Sequence, residues 1–208
     1  MLFSDPGSAA PRMIQNRLSY HLRTEGLSTQ ACSLVTQVLV RNDDPDFGDP
    51  SKPVGPFYTE AEPQEIVEVR AIRALLEGGF VVIASGGGGI PVARNGNGSL
   101  HGVNAVIDKD KARFTLAKAV KADTLMILTD VEKVSLRFGN PQACRSDVMG
   151  VSEAEGYLAD GHFLKGSMGP KVEACVRFVR WSGKPAIIGS LDKAVEALAG
   201  TSGTRFVP

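Results

Sequence analysis

The sequence FVVIASGGGGIP, at residues 80–91, joins a run of apolar side chains directly to four consecutive glycines. An apolar run without alternation is typical of a strand that is buried on both faces of a parallel sheet. Glycine permits sharp turns and close approach to the backbone, so residues 86–89 can expose N–H groups in a concave nest for a phosphate or another oxyanion. The alternative is a flexible linker, but linkers are normally bounded by polar residues rather than by a buried strand and Ile-Pro.

Helical and strand patterns alternate on both sides of this stretch. Such alternation predicts an α/β fold with a parallel sheet covered by helices on both faces, and ligands bind such sheets beyond the carboxyl ends of the strands. Ser152 and Glu155 have the spacing of a capping box at a helix start. We predict helices over residues 11–25, 65–77, 108–121, 152–160, 170–182 and 192–199, and strands over 33–40, 80–84, 124–128, 134–136, 185–189 and 204–207. Residues 42–64, which contain five prolines, are predicted to form no regular element.

Composition excludes several classes of protein. The 208 residues carry 23 Lys+Arg against 23 Asp+Glu, and this balance argues against nucleic acid or an anionic membrane as the main partner. No apolar run approaches the roughly 18 residues of a membrane-spanning helix, and the first residues do not resemble a secretory signal. The three cysteines are widely spaced, as expected for reduced thiols in the cytoplasm. The three histidines show no metal-binding spacing, so we expect no protein-built metal site.

A second unusual loop is the sequence IDKDK at residues 107–111, which begins a predicted helix. Asp108 is a suitable N-cap, and Asp110 interacts favourably with the helix dipole. Lys109 is disfavoured by the same dipole, but it is tolerable where its ammonium group meets a negative ligand. A solvated helix start is the alternative, and these residues alone favour it.

A third loop, GSMGPK at residues 166–171, leads into another helix with a lysine in its first turn. Free N–H groups, the positive end of the dipole and an ammonium group then converge, as in a phosphate cradle. The pattern is not the Walker motif GxxxxGK[ST]. Two such lysines and a glycine nest indicate phosphoryl transfer, which requires charge neutralisation and in-line positioning. Asp108 could hold the lysine heads through charge-assisted hydrogen bonds.

The sequence TDVEKV at residues 129–134 follows the predicted strand 124–128. Its small and aliphatic side chains could form a wall for a nucleotide base, with Asp130 near the ribose or near backbone amides. A tight turn with aspartate as its capping group explains the same residues equally well.

Together these motifs resemble carbamate kinase, a member of the amino-acid kinase superfamily. The similarity runs in order from about Pro11 to the C-terminus, and the tetraglycine and GSMGPK blocks are its most specific parts. The resemblance implies a three-layer α/β/α sandwich with a mostly parallel central sheet. It also implies reversible phosphoryl transfer between ATP and carbamate, giving ADP and carbamoyl phosphate in arginine catabolism, by a cytoplasmic homodimer. The matching blocks are KPVGPFYT (52–59), VIASGGGGIPV (82–92), VIDKD (106–110), LTDVEKV (128–134), GHFLKGSMGPKVEA (161–174) and AIIGSL (186–191).

The resemblance also assigns roles to individual residues. Lys109 and Lys171 match the phosphate-neutralising lysines of the family, and Asp108 matches the aspartate that organises them. Magnesium would be held mainly by the phosphates of ATP or ADP. The loop around the transferred group corresponds to Gly86, Gly87, Gly88 and Gly89, and the nucleotide side corresponds to Thr129, Asp130, Val131, Met168 and Gly169.

The sequence departs from the family in two places. It has neither the N-terminal strand with its Gly-Gly-Asn loop nor the later His-Gly-Asn-Gly-Pro-Gln loop, so N-terminal strands of the fold are expected to be missing. It also passes directly from Glu62 to Pro63, where the family inserts a protruding subdomain. We therefore predict a single, shortened amino-acid kinase domain over residues 1–208, with 42–64 as the connection in place of the subdomain.

Three functions are compatible with these motifs. The first is a carbamate kinase, for which the missing loops predict strongly reduced activity if the chain is complete, because each lost oxyanion contact typically costs about 10²–10³-fold in rate. The second is a catalytically impaired, nucleotide-binding remnant or pseudoenzyme of the same family. The third is an amino-acid kinase with another acyl or nucleoside monophosphate substrate, against which GSMGPK and KPVGPFYT argue.

Overall fold

The computed structural model describes residues 6–41, 60–103, 105–136, 144–164 and 167–208. These residues form two compact units, an N-terminal unit over Met1–Val120 and a C-terminal unit over Lys121–Pro208. The single domain over 1–208 stays a prediction. So does the role of residues 42–64, because 42–59 lie outside the described residues.

The N-terminal unit combines three helices with short strands. Strands β1 and β5 form one parallel pair, β3 and β8 form another, and β4, β2, β6 and β7 form a four-stranded sheet in that order. The core between α2, α3 and the sheet includes Val38, Ile66, Ile72 and Ile107. The elements are α1 (Pro6–Thr24), β1 (Ala31–Ser33), β2 (Gln37–Leu39), β3 (Glu60–Ala61), β4 (Glu65–Ile66), α2 (Val69–Glu77), β5 (Val81–Ile83), β6 (Ile90–Arg94), β7 (Leu100–Gly102), β8 (Val106–Ile107) and α3 (Lys109–Val120).

Helix α1 packs on the edge of β1 that faces away from β5. The side-chain amide of Gln15 donates to the carbonyl oxygen of Ala31 at 3.1 Å and accepts from the N–H of Ser33 at 3.1 Å. The Ser33 hydroxyl donates to the carbonyl oxygen of Pro11 at 3.2 Å. Gln15 therefore satisfies the outward backbone groups of β1 as a neighbouring strand would.

The C-terminal unit is built on one four-stranded sheet in the order β12, β14, β13, β9. Strands β13 and β9 are parallel and β13 and β14 antiparallel, and α5 packs on this sheet with Phe178 and Val179 fully buried. The elements are β9 (Leu125–Thr129), β10 (Ser135–Leu136), β11 (Cys144–Arg145), β12 (Val148–Gly150), α4 (Val151–Ala159), α5 (Met168–Ser182), β13 (Ala186–Ser190), a 3₁₀ turn (Leu191–Lys193), α6 (Ala194–Ala199) and β14 (Thr204–Val207).

The α/β fold class is confirmed, and parallel and antiparallel pairs occur together. The predicted strand over 33–40 is wrong in its extent, because it is two strands separated at Leu34–Thr36. The predicted helix over 65–77 begins only at Val69, since Glu65–Ile66 pairs with β2 instead. Residues 60–61 also form a strand, although no regular element is predicted there.

Two further expectations fail for reasons of packing. The predicted capping box at Ser152 is not formed, because α4 begins at Val151 and Glu155 instead binds Arg180 of α5 at 2.8 Å. Strand β5 is not buried on both faces, since Val81 is 38% exposed. Within the described residues, no helix has the length and apolar character needed to cross a membrane.

Candidate functional site

The candidate residues fall into two groups, one in each unit. The first contains the glycine loop and the start of α3. The second contains the loop after β9 and the start of α5.

The glycine loop begins with a tight turn over Ser85–Gly88, closed by a 2.7 Å hydrogen bond from the Gly88 N–H to the Ser85 carbonyl oxygen. Gly88 and Gly89 have φ values of 126° and 103°, which L side chains rarely adopt. A Cβ at Gly88 would stand 2.7 Å from the carbonyl oxygen of Ile107, and one at Gly89 would stand 2.5 Å from Cγ2 of Val38. These two glycines are required because the loop packs directly on β2 and β8.

Some N–H groups of this loop have no acceptor among the described residues. The N–H groups of Ser85, Gly88 and Ile90 are bonded to Thr36 Oγ1, Ser85 O and Thr36 O. Within the described part of the chain, the remaining N–H groups, those of Gly86, Gly87 and Gly89, donate to no protein acceptor. Unpaired N–H groups on a glycine turn are the donors from which oxyanion nests are built.

Thr36 holds this loop in place, and sequence reasoning did not identify it. Its hydroxyl accepts from the Ser85 N–H at 2.9 Å, and its carbonyl oxygen accepts from the Ile90 N–H at 2.8 Å. A polar residue that interrupts the apolar run of residues 33–40 is the signal that could have identified it.

Asp108 follows β8 and is the N-cap of α3, as predicted. Its Oδ1 accepts from the N–H of Asp110 at 2.7 Å and from the N–H of Lys111 at 3.1 Å, and its side chain is only 5% exposed. Because the Gly88 backbone lies against Ile107, the glycine loop and Asp108 are brought together within the N-terminal unit.

Lys109 is exposed at the first position of α3, and no acidic side chain of the described residues pairs with it. The charged residues next to it do form ion pairs. Lys111 pairs with Glu62 at 2.8 Å, and the buried Asp110 pairs with Arg113. The observed bonds of Asp108 Oδ1 go to backbone N–H groups rather than to a lysine. Its role in organising lysines therefore stays a prediction.

In the C-terminal unit, the loop over residues 129–134 is fastened from several sides. Thr129 pairs with Ser190 at the end of β9, and its hydroxyl donates to Asp130 Oδ1 at 2.9 Å. At the other end of the loop, the buried N–H of Val134 donates to the Thr204 hydroxyl at 2.9 Å. Asp130 is exposed and Val131 is half-buried, so both can meet a ligand.

The Glu132 side chain anchors this loop to residues far away in the sequence. It is the second residue that sequence reasoning missed. Its carboxylate accepts from Lys193 Nζ at 3.0 Å and from the Ser202 hydroxyl at 3.0 Å. These hydrogen bonds, that of Lys193 first, hold the pKa of Glu132 below its usual range. No local pattern indicates these contacts, because Lys193 and Ser202 lie 61 and 70 positions away in the sequence.

The start of α5 presents the third predicted motif. Helix α5 begins at Met168, and a Cβ at Gly169 would stand 3.3 Å from the carbonyl oxygen of Leu164. Lys171 Nζ donates to the carbonyl oxygen of Ser167 at 2.9 Å, which places its ammonium group at the N-terminal end of the helix. An anion at this end is favoured by the helix dipole.

The topology places the start of α5 and the end of β9 on the side of the sheet where the carboxyl ends of its parallel strands lie. Helix α5 leads through a short turn into β13, which is parallel to β9, so α5 runs antiparallel to both strands. The first turn of α5 therefore lies towards the carboxyl ends of these strands, and Thr129 is the last residue of β9. This is the edge at which α/β sheets bind ligands.

No cluster of three or more His, Cys, Asp or Glu side chains that could hold a metal ion occurs in residues 6–41, 60–103, 105–136, 144–164 and 167–208.

Comparison with known proteins identifies the class to which this fold and site belong. The model of the Amino acid kinase family matches residues 7–190. The carbamate kinase of Thermococcus kodakarensis is 43% identical over 240 residues, which cover 98% of this chain and 76% of that protein. The carbamate kinase of Pyrococcus horikoshii is 44% identical, over 94% of this chain and 71% of that protein. The structure of the Giardia lamblia carbamate kinase bound to AMP-PNP has a TM-score of 0.88 and 35% identity, over 97% of this chain and 72% of that one.

Fold, motifs and sequence thus define an amino acid kinase. Within that class, the chain belongs to the carbamate kinase family. Because the alignment with the Thermococcus protein spans 240 positions and this chain has 208 residues, that relative contains internal residues with no counterpart here.

Proposed function

We propose that this chain is an ATP:carbamate phosphotransferase. An oxygen of carbamate attacks the γ-phosphorus of ATP, the bond from that phosphorus to the β–γ bridging oxygen breaks, and ADP leaves with that oxygen. The reverse reaction forms ATP from ADP and carbamoyl phosphate. Since little covalent help is needed, the residues act by positioning and by neutralising charge.

The glycine loop carries this proposal. The N–H groups of Gly86, Gly87 and Gly89 have no protein acceptor in the described residues, and the loop packs beside the capped start of α3. In this proposal, the N–H groups of the loop donate hydrogen bonds to oxygens of carbamate and of the transferred phosphoryl group. Lys109 neutralises the negative charge on that phosphoryl group. Asp108 fixes the start of α3, and hence the position at which Lys109 leaves the backbone.

The second group is assigned to the nucleotide. Lys171, at the N-terminal end of α5, suits a phosphate, and Met168 and Gly169 form the turn from which it projects. Thr129, Asp130 and Val131 are assigned to the nucleoside, which the fastened loop would meet without reordering. The Giardia carbamate kinase was solved with AMP-PNP, which supports ATP or ADP as the nucleotide.

Further properties are proposed on the family's pattern. Mg²⁺ would be held mainly by the phosphates of ATP or ADP and would neutralise part of their charge. We also propose a cytoplasmic homodimer that works in arginine catabolism, with ATP formation as the physiological direction.

The relatives favour an active kinase over an impaired remnant, because proteins named carbamate kinase are 42–44% identical over 94–98% of this chain. The deciding measurement is ATP formation from ADP, Mg²⁺ and carbamoyl phosphate by the purified chain. We expect turnover that Lys171→Ala reduces by about 10²-fold or more, as for loss of one charge-stabilising contact.

The matched control is Lys118→Ala, which removes an exposed lysine from the last turn of α3 and should leave the rate unchanged. Nucleotide binding without turnover would contradict the proposal and support the remnant.

A further inference from the structure

Ser85 is the one residue of the glycine loop with a polar side chain, and it is unusual in two respects. It is 7% exposed, and its buried Oγ has no hydrogen-bond partner among the described residues. It also has a φ of 55°, a left-handed conformation that is uncommon for a residue with a Cβ. A buried hydroxyl without a partner and a strained backbone both destabilise a fold, so a purely structural role explains neither.

Both backbone polar groups of Ser85 form hydrogen bonds, whereas its hydroxyl forms none with the described residues. The N–H of Ser85 donates to Thr36 Oγ1 at 2.9 Å, and its carbonyl oxygen accepts from the Gly88 N–H at 2.7 Å. These two bonds hold Cα and Cβ in a fixed place at the start of the turn. Rotation about the Cα–Cβ bond is then the freedom that remains to the hydroxyl.

The surroundings of this hydroxyl indicate the kind of ligand that it would meet. The next two residues, Gly86 and Gly87, are exposed, and their N–H groups have no acceptor in the part of the chain that the structure describes. A cluster of donors attracts an oxyanion, and a serine hydroxyl can add one further donor to it.

We propose that the Ser85 hydroxyl is a substrate-binding group, which donates a hydrogen bond to an oxygen of carbamate or carbamoyl phosphate held by the glycine loop. No group of the described residues pairs with this buried hydroxyl, and the substrate would supply its partner. This assignment rests on the proposed function for the identity of the oxyanion.

The test compares Ser85→Ala with the parent in ATP formation and in thermal unfolding. The variant removes an unpaired hydroxyl, so we expect an equal or higher Tm. We expect the KM for carbamoyl phosphate to rise about tenfold, the usual effect of one hydrogen bond to a charged group, with the KM for ADP unchanged. A merely structural serine would raise Tm and leave both KM values unchanged, and that result would overturn the proposal.

Ser85→Gly is the second variant, because glycine adopts a φ of 55° without strain and the variant should fold even if Ser85→Ala does not. It should show the same rise in KM. Ser99→Ala, in the exposed hairpin between β6 and β7, is the control for loss of a serine hydroxyl and should change neither KM.

A parent chain without turnover would contradict the proposed function, and calorimetric binding of carbamoyl phosphate would then test Ser85 separately. Weaker binding by Ser85→Ala than by the parent would support the assignment. Equal binding, or no binding by either, would overturn it.

Discussion

The loops over residues 85–89 and 129–134 are held in place by different kinds of interaction. The first is held by hydrogen bonds that Ser85 and Ile90 donate to Thr36, and by backbone packing so close that only glycine fits at two of its positions. The second is held by side chains, with Glu132 bridging Lys193 and Ser202. Gly88 and Gly89 leave no room for an added Cβ, whereas a loop held by exposed ion pairs can be weakened by degrees. Substitutions at these two glycines should therefore act in an all-or-none way, and substitutions in the second loop should act in small steps.

The largest effect is expected for Gly89→Ala. The new Cβ would lie 2.5 Å from Val38 Cγ2. Alanine would also have to adopt a φ of 103°, which residues with a side chain rarely adopt. Overpacking and backbone strain together should cost about 3 kcal/mol of the free energy of unfolding, and turnover should be lost. Urea denaturation gives the stability change.

Gly87→Ala is the matched control, because no heavy atom of the described residues, chain neighbours apart, lies within 4 Å of the position of its Cβ, and its φ is not positive. It should change stability by less than about 0.5 kcal/mol. Equal costs at Gly87 and Gly89 would contradict the account of this loop as tightly packed.

The next effect is expected for Lys109→Ala, which removes an exposed cation without an acidic partner among the described residues. We expect ATP formation to fall by about 10²–10³-fold, since the charge on the transferred group loses its neutralising partner. Tm should not change, because the side chain forms no hydrogen bond or ion pair with the described residues. A rate within a few-fold of the parent would show that Lys109 is only a solvated helix residue.

A smaller effect on stability is expected for Asp108→Ala, which removes both cap hydrogen bonds to the N–H groups of Asp110 and Lys111. The loss should be about 1–2 kcal/mol, measured by thermal or urea unfolding. Asp108→Asn keeps an oxygen for the cap and should retain most of the stability. If Asp108→Asn nevertheless loses activity, the negative charge of Asp108 contributes to catalysis in addition to capping the helix. If activity is kept, capping the helix is the only contribution of this side chain.

The smallest effect is expected for Glu132→Gln. The pKa of Glu132 is lowered by Lys193 and Ser202, so the stabilisation is present above the ordinary glutamate range and is lost as the pH falls through the lowered native pKa. At neutral pH we expect the KM for ADP to rise by about fivefold or less, with kcat nearly unchanged, because exposed ion pairs contribute little. In acid, the parent should approach the variant in KM.

Asp123→Asn is the control for this last prediction, since it breaks another exposed ion pair of the same unit, with Lys184 at 2.5 Å, away from the loop. It should leave the KM for ADP unchanged. An equal rise in both variants would show that general stability, rather than the position of the loop, sets nucleotide affinity.

Local patterns were enough to predict part of this molecule. The turn over Ser85–Gly88 and the Asp108 cap are closed by hydrogen bonds between neighbours in sequence, so residue type and spacing were sufficient to predict both. Thr36 and Glu132 act on residues 49 and 70 positions away, and only the pairing of strands brings these partners together. The same cause explains the failure at Glu65–Ile66, where pairing with β2 prevails over a helical pattern.

Gln15 has a consequence for the solution behaviour of the protein. The outer edge of β1 would offer an unpaired carbonyl and N–H to any other extended chain, and such edges promote association between copies and aggregation. The Gln15 amide occupies both groups, at Ala31 and Ser33, with one donor and one acceptor of its own. A single side chain thus protects a strand edge for which another protein would need a further strand, a bulge or a charged residue.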